Sequence, residues 1–198
     1  MSIDAVLVDG GGTNIGSVRS ALRRLGVDAP LTTDAARIRR ASHVILPGVG
    51  AAGPAMQRLA QLDLVDTLRE LRQPVLGVCL GLQLLFERSS ESELPCLGII
   101  AAEVEQLPAA PGLRVPHMGW NQLQIERPHA LLAGLDAHAH AYFVHSYAAP
   151  AGAWTLASCT HGVRFSAIVQ KDNFFGMQFH PERSAAVGSL LLKNFLTL

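Results

Sequence analysis

Three cysteines, eight histidines and sixteen carboxylates are available to this chain, and one cysteine stands apart by its neighbours. Residues 74–87 read Pro-Val-Leu-Gly-Val-Cys-Leu-Gly-Leu-Gln-Leu-Leu-Phe-Glu. Gly77 and Gly81 flank Cys79 in a G-x-C-x-G pattern, the spacing of a nucleophile elbow with sulfur in place of a hydroxyl. Such a turn is tight, and side chains at 77 and 81 would collide with neighbouring backbone. The apolar run 74–78 has strand character and the residues from Leu80 onward are helix formers, so the thiol falls at a strand-to-helix turn. There it meets the positive end of a helix dipole, which favours thiolate. The same pattern also fits a buried structural cysteine in a strand–helix crossover, since free cysteine is among the most buried residue types.

A nucleophilic thiol requires a base, and the base requires an orienting group. His129, His138, His140 and His161 sit in polar or turn-like stretches and read as surface residues. His180 differs, because it directly follows the apolar run 174–179 in Phe179-His180-Pro181-Glu182-Arg183-Ser184. In open α/β sheets, residues at the carboxyl ends of parallel strands gather on one rim. His180 and Cys79 can therefore meet although about a hundred residues of chain separate them. Glu182 is placed to accept from the imidazole Nδ1–H, which leaves Nε2 for the thiol. Pro181 stiffens the connection by fixing φ. Proline and glutamate here also make a helix-start box, and both readings hold together.

These side chains need a frame, and the first half of the chain supplies an alternation of strands and helices. Residues 5–8 read as a buried strand, followed by a helix with Ile15, Val18, Leu22 and Leu25 at 3–4 spacing, capped by Thr13 or Asn14 and stopped by Gly26. Residues 43–46 form a second apolar strand ending at Pro47-Gly48-Val49-Gly50. One longer helix then runs to about residue 72, with Met56, Leu59, Val65, Leu68 and Leu71 inward. Short buried strands alternating with helices indicate a parallel sheet covered on both faces. From 97 to 179 the pattern changes to β-type runs (99–107, 122–125, 141–147, 155–158, 165–170 and 174–179) separated by turn signals. That spacing predicts antiparallel hairpins added to the sheet. A closing helix over 184–195 has Val187, Leu190, Leu191 and Phe195 on one face. The fold class is α/β: a doubly wound, mostly parallel sheet flanked by helices with an antiparallel β extension, in one domain over residues 1–198.

Composition narrows the setting. Apolar residues make up 49% and charged residues 16% of the 198, which specifies a globular core. Sixteen basic residues balance sixteen acidic ones, so nothing in the charge points to nucleic acid or an anionic membrane as partner. Three cysteines argue against a disulfide framework and for a reducing, cytoplasmic compartment. The N-terminus lacks the basic region of a signal peptide, and no apolar run reaches the length of a membrane span. No C-x-x-C exists and His138 and His140 lack further ligands at usable spacing, so neither a metal nor another cofactor is expected.

The segments GVCLGLQLLFE and FGMQFHPERS together resemble the class I (triad-type) glutamine amidotransferases. Val115-Pro116-His117-Met118-Gly119-Trp120-Asn121, Tyr142-Phe143-Val144-His145-Ser146-Tyr147 and Leu191-Leu192-Lys193-Asn194-Phe195 are similar to the branch of that family serving histidine biosynthesis. The likeness spans essentially the whole chain. It implies that Cys79 is the nucleophile, His180 the general acid/base and Glu182 its orienter, hydrolysing glutamine to glutamate and ammonia. It further implies an oxyanion hole made by the Leu80 and Val49 backbone N–H groups, with Gly48 and Gly50 letting the chain turn and approach the substrate. Gln83 and the backbone of His145, Ser146 and Tyr147 match positions that hold glutamine. The implied partner is a (β/α)8 cyclase subunit forming a heterodimer and consuming the ammonia, with Asn14, His117, Met118, Trp120 and Asn121 at the interface and ammonia passage. On its residues alone the segment 117–121 reads equally as a hairpin loop carrying a half-buried Trp.

Three other readings compete: an amidotransferase subunit of the anthranilate or aminodeoxychorismate type, a non-catalytic regulatory subunit of the same fold, and a stand-alone cysteine hydrolase acting on γ-glutamyl compounds. VPHMGWN argues against the first, and an intact Cys-His-Glu set against the second. The chain also departs from the family pattern. Asp9-Gly10-Gly11-Gly12-Thr13-Asn14 lacks the usual tyrosine after the aspartate and has Thr13 where glycine is usual, while Ala52 and Pro54 replace a common aromatic and acid. These changes concern loop packing and partner contacts and leave the triad untouched.

Overall fold

A computed structural model describes residues 3–11 and 15–198. The expected helix cap at Thr13 or Asn14, and Asn14 as an interface residue, lie outside the described residues. Thirteen strands and six α-helices follow along the described residues. In order they are β1 (Ala5–Val8), α1 (Ile15–Arg24), β2 (Leu31–Thr32), α2 (Ala35–Arg40), β3 (His43–Gly48), α3 (Ala52–Gln61), α4 (Val65–Arg69), β4 (Val75–Cys79) and α5 (Leu80–Gln83). The second half comprises β5 (Phe86–Ser89), β6 (Ile100–Gln106), β7 (His117–Gln122), β8 (Gln124–Ile125), β9 (His140–His145), β10 (Tyr147–Ala148), β11 (Thr155–His161), β12 (Val163–Lys171), β13 (Phe174–Met177) and α6 (Ala185–Phe195).

Eight strands form the central sheet in the order β2-β1-β3-β4-β13-β12-β11-β8. The first five are mutually parallel, and β12, β11 and β8 continue the sheet antiparallel. Alternate residues of each parallel strand enter opposite cores, as period-2 geometry demands. Ala5 and Leu7 of β1 join Val18 and Leu22 of α1 and Leu191 and Phe195 of α6 on one face. Val6 and Val8 join Ile38 of α2, Met56 and Leu59 of α3 and Leu68 of α4 on the other. This is the doubly wound arrangement expected. None of the described helices is long and apolar enough to cross a membrane.

Several expectations change in detail. The single helix to residue 72 is two helices, because Asp63 takes a left-handed φ of 54°. The Leu64 N–H reaches back to the Leu59 carbonyl and the Asp63 N–H to Ala60, closing α3 in a Schellman-type turn that no glycine announces. The helix after Cys79 ends at Gln83, and Phe86–Ser89 is a strand although its neighbours are helix formers. Backbone bonds from Leu97 to Leu84 and from Gly98 to Phe86, with Phe86 fully buried, outweigh that weak local preference. The β extension is also divided. Only β8, β11 and β12 lengthen the central sheet, while β5, β6 and β10 form one separate sheet and β7 and β9 another. Residues 117–122 are thus a strand, and no hairpin loop.

Candidate active site

The centre of the parallel sheet brings the predicted chemistry together. β4 lies between β3 and β13, with Gly48 opposite Cys79 on one side and Met177 opposite Val78 on the other. Cys79 closes β4 with φ 53° and ψ −109°, a conformation non-glycine residues avoid, and α5 starts at the next residue. The flanking glycines are there because nothing larger fits. A Cβ on Gly81 would overlap the Leu46 carbonyl oxygen, and one on Gly77 would overlap the Gly81 carbonyl. Gly48 is nearly as confined, since its Cβ would stand 3.1 Å from the Leu80 Cβ and 3.3 Å from the Gly81 nitrogen. Gly50, at φ 109°, supplies the positive dihedral of the loop.

A cavity of about 280 Å³ opens at this rim, lined among others by Val49, Gly50, Cys79, Leu80, Gln83 and His180. His145, Ser146 and Tyr147, brought in by β9 and β10, complete its predicted lining. Gly48 does not line it, but borders a neighbouring hollow together with Pro47 and Ala51. His180 Nδ1 lies 2.9 Å from Glu182 Oε1, and both side chains are almost wholly buried. Burial works to lower the His180 pKa, but its hydrogen bonds and charge interactions with Cys79 and Glu182 overcome that and raise it to about 10. The imidazole is therefore a cation at neutral pH, held between an acceptor on each side. Burial, chiefly, pushes Cys96 up to about 11 and Cys159 up to about 12, which makes both poor nucleophiles.

Residues without an obvious signature in the chain hold this arrangement. Ser184, fully buried, accepts from the Tyr142 N–H and donates to the His180 carbonyl, while the His180 N–H donates to the Tyr142 carbonyl. These bonds tie the catalytic-side turn to β9. Glu91 also lines the cavity, and its Oε2 accepts the Ala52 N–H at 2.8 Å, where the 47–51 loop enters α3. Ser184 closes the stretch that carries His180 and Glu182, whereas no motif in the sequence marks Glu91.

Strand alternation redistributes the segment 117–121. Met118 and Trp120 are exposed, at 63% and 54%, whereas the His117 side chain is buried and Asn121, on the same side of the strand, bonds to it. His117 Nδ1 lies 3.0 Å from His145 Nε2, and His145 Nδ1 lies 2.8 Å from the Tyr147 carbonyl. Since that carbonyl only accepts, His145 carries its proton on Nδ1 and takes one from His117 Nδ1. His117 Nε2 then accepts from Asn121 Nδ2 at 3.2 Å, and the same amide donates to the Thr160 carbonyl at 3.0 Å. Burial pushes His117 down to about 4 and His145 down to about 3. His161, expected at the surface, instead stacks on His117 with ring centroids 4.1 Å apart. His129 caps the short helical turn Ala130–Leu132 by accepting the Leu131 N–H.

The glutamine amidotransferase class-I family model matches residues 6–198. The chain is 56% identical over 195 residues to the imidazole glycerol phosphate synthase subunit HisH of Xanthomonas axonopodis pv. citri, covering 98% of each. It is 51% identical, with the same coverage, to the protein of that name from Xylella fastidiosa strain Temecula1. Among solved structures, a glutamine amidotransferase superposes with a TM-score of 0.76 at 21% identity, over 98% of this chain and 97% of that one. One from Thermotoga maritima gives 0.68 at 14% identity, over 99% and 97%. At those identities the likeness to the two structures concerns the fold alone.

Proposed function

The chain belongs to the class I glutamine amidotransferase family, and from that premise we propose that it hydrolyses glutamine to glutamate and ammonia for imidazole glycerol phosphate synthesis in histidine biosynthesis. The observation that carries this reading is the meeting of Cys79 and His180 in one cavity beyond the ends of two adjacent parallel strands, with the buried Glu182 bonded to the far nitrogen of His180. Residues 1–198 act as one catalytic domain. The Cys79 sulfur attacks the side-chain carbonyl carbon of glutamine. The C–N bond then breaks as cationic His180 gives its proton to the leaving nitrogen, which releases ammonia and leaves a γ-glutamyl thioester. Neutral His180 next takes a proton from water, whose oxygen adds to the thioester carbon. The C–S bond breaks, its electron pair returns to sulfur, and glutamate departs. Glu182 holds the ring in the tautomer that faces the sulfur. The backbone N–H groups of Leu80 and Val49 receive the oxyanion of each tetrahedral intermediate. Gln83 and the 145–147 backbone hold the amino-acid end, and the Glu91 carboxylate offers a counter-charge to an α-ammonium.

Free ammonia protonates at neutral pH and then no longer attacks as a nucleophile, so its consumer must dock directly. We assign that consumer as a (β/α)8 cyclase, in a cytoplasmic heterodimer without nucleic acid. Its footprint includes Met118 and Trp120, the large apolar side chains that β7 leaves exposed. The decisive experiment measures glutamate release by the lone chain, by the chain with its cyclase, and by that complex with the cyclase's nucleotide substrate. Glutaminase activity in the complex, matched by cyclised product, is expected. No glutamate release under any of the three conditions would reject the reading.

A further inference from the structure

Gln178 is fully buried, and a primary amide in that position is costly unless its groups are bonded. Its place follows from the ladder between β13 and β4, where Met177 faces Val78 and the next residue comes to lie beside Cys79. The Gln178 Nε2 donates to Cys79 Sγ at 3.9 Å, and its Oε1 accepts from Gln83 Nε2 at 3.2 Å. Gln83 Nε2 spends its other hydrogen on the Tyr147 carbonyl at 2.9 Å. Both N–H bonds of Gln83 are thus engaged, which leaves its carbonyl oxygen as the part of that amide available to a ligand in the cavity.

The sulfur has different needs in its two states. As a thiol it donates to the Val144 carbonyl, 3.9 Å away. As an anion it has nothing to give that carbonyl and needs donors instead. His180 is one donor, a titrating one, whose proton goes to the leaving nitrogen and is regained from water before the C–S bond breaks. Gln178 is the other, and an amide N–H does not titrate. Resting on the glutaminase reading above, we propose that Gln178 is a further catalytic residue: an uncharged donor to the Cys79 sulfur anion whose other end fixes the Gln83 amide for glutamine. It acts when the free sulfur waits for substrate, and again when the C–S bond breaks and the electron pair returns to sulfur.

The test compares wild type, Gln178→Met, His180→Ala and the double variant. Iodoacetamide capture of Cys79 is followed at pH 6 by mass of the modified peptide, which separates it from Cys96 and Cys159. Only the sulfur anion reacts, so the rate reads its population without requiring turnover. Gln178→Met is expected to slow capture about threefold to tenfold, the effect of one hydrogen bond of ordinary net strength, and to do so with His180 present or absent. In the complex the same variant should also raise KM for glutamine, because the Gln83 amide loses one of its two anchors. Gln178→Asn, shorter by one methylene, should move both readouts in the same direction and serves if the Met variant does not fold. Capture by a folded double variant at the rate of His180→Ala alone, or by folded Gln178→Met at the wild-type rate, would overturn the proposal. Failure of the glutaminase reading would show separately, as a wild-type complex that releases no glutamate.

Discussion

A cationic histidine and a neutral histidine pair, all buried, meet at the same cavity. His180 sits between Cys79 and Glu182 and is held cationic, with its pKa near 10. His145 lines the cavity too, and its partner His117 stands behind it; burial holds them near 3 and 4, both neutral. The burial penalty acts in one direction on all three, so burial alone does not decide the outcome. What differs is the partner. His180 faces a carboxylate and a thiol, whereas the other two face each other, a backbone carbonyl and an amide. The His180 charge itself is among the influences that press His145 down. One histidine is charged at neutral pH, and the pair stays neutral down to about pH 4, with His145 bonded to the Tyr147 carbonyl.

The sharpest way to break this contrast is to remove the sulfur. Cys79→Ala should abolish glutamine-dependent turnover, by about four orders of magnitude or more, while the fold survives. Ammonium salts should still support cyclised product in the complex. Substantial glutamine-dependent activity in that variant would end the assignment of Cys79. Removing the opposite partner is the next largest step. Glu182→Gln keeps the shape but deprives the imidazole of its anionic acceptor, and kcat should fall by at least about a hundredfold, given what orienting carboxylates supply elsewhere. A steady-state assay of the complex decides it, and full activity would reduce Glu182 to a helix-start residue.

How legible each region is in the sequence follows from how it is built. The elbow at Cys79 announces itself because its constraint is local: Gly77 and Gly81 are required by backbone within a few residues or on the adjoining strand. His180 and Glu182 are two residues apart, so their bond needs only a short turn. His117 and His145 owe their roles to register between β7 and β9, and a shift of one residue would turn both outward. That register depends on the neighbouring core and leaves no mark in the segment itself, which is why the sequence does not show that His117 and Asn121 share a side of the strand that Met118 and Trp120 do not. The break at Asp63 and the strand at Phe86–Ser89 are similar cases, decided by backbone partners rather than by residue type. Ser184 and Gln178 lie within FGMQFHPERS, yet only the fold shows what they bond, and no motif surrounds Glu91.

The outer side of the same strand offers a milder test. Trp120 stacks edge-on against Tyr142, and Arg183 lies over the other ring of that pair at 5.8 Å. This exposed cluster therefore sits on the two strands and turn that also hold His117, His145 and His180. Trp120→Ala should weaken association with the cyclase about tenfold or more, as loss of an aromatic anchor does, or let glutamate release outrun cyclised product. Titration calorimetry and the ratio of the two products would read this. Unchanged affinity with one-to-one coupling would move the interface elsewhere.

The smallest effect concerns stability, and its sign distinguishes the two histidine groups. His117 and His145 have folded pKa values near 4 and 3, below the ordinary value of about 6.5. Between those limits the unfolded chain binds protons that the folded chain refuses, so stability falls as pH drops through the window. Each histidine should cost about 2 kcal/mol between pH 7 and pH 5 by that linkage. His180 contributes in the opposite sense. Its folded pKa is raised, so its stabilisation is complete below about pH 6.5 and is lost as pH rises through about 10. His117→Leu removes one proton site from the acid limb and none from the alkaline limb. Urea midpoints at pH 5, 7 and 9 should therefore show a shallower acid slope in the variant and an unchanged alkaline one, whatever the substitution does to stability at pH 7. An acid slope equal to wild type would mean that His117 accepts a proton while folded, and the neutral pair would lose its place in the contrast.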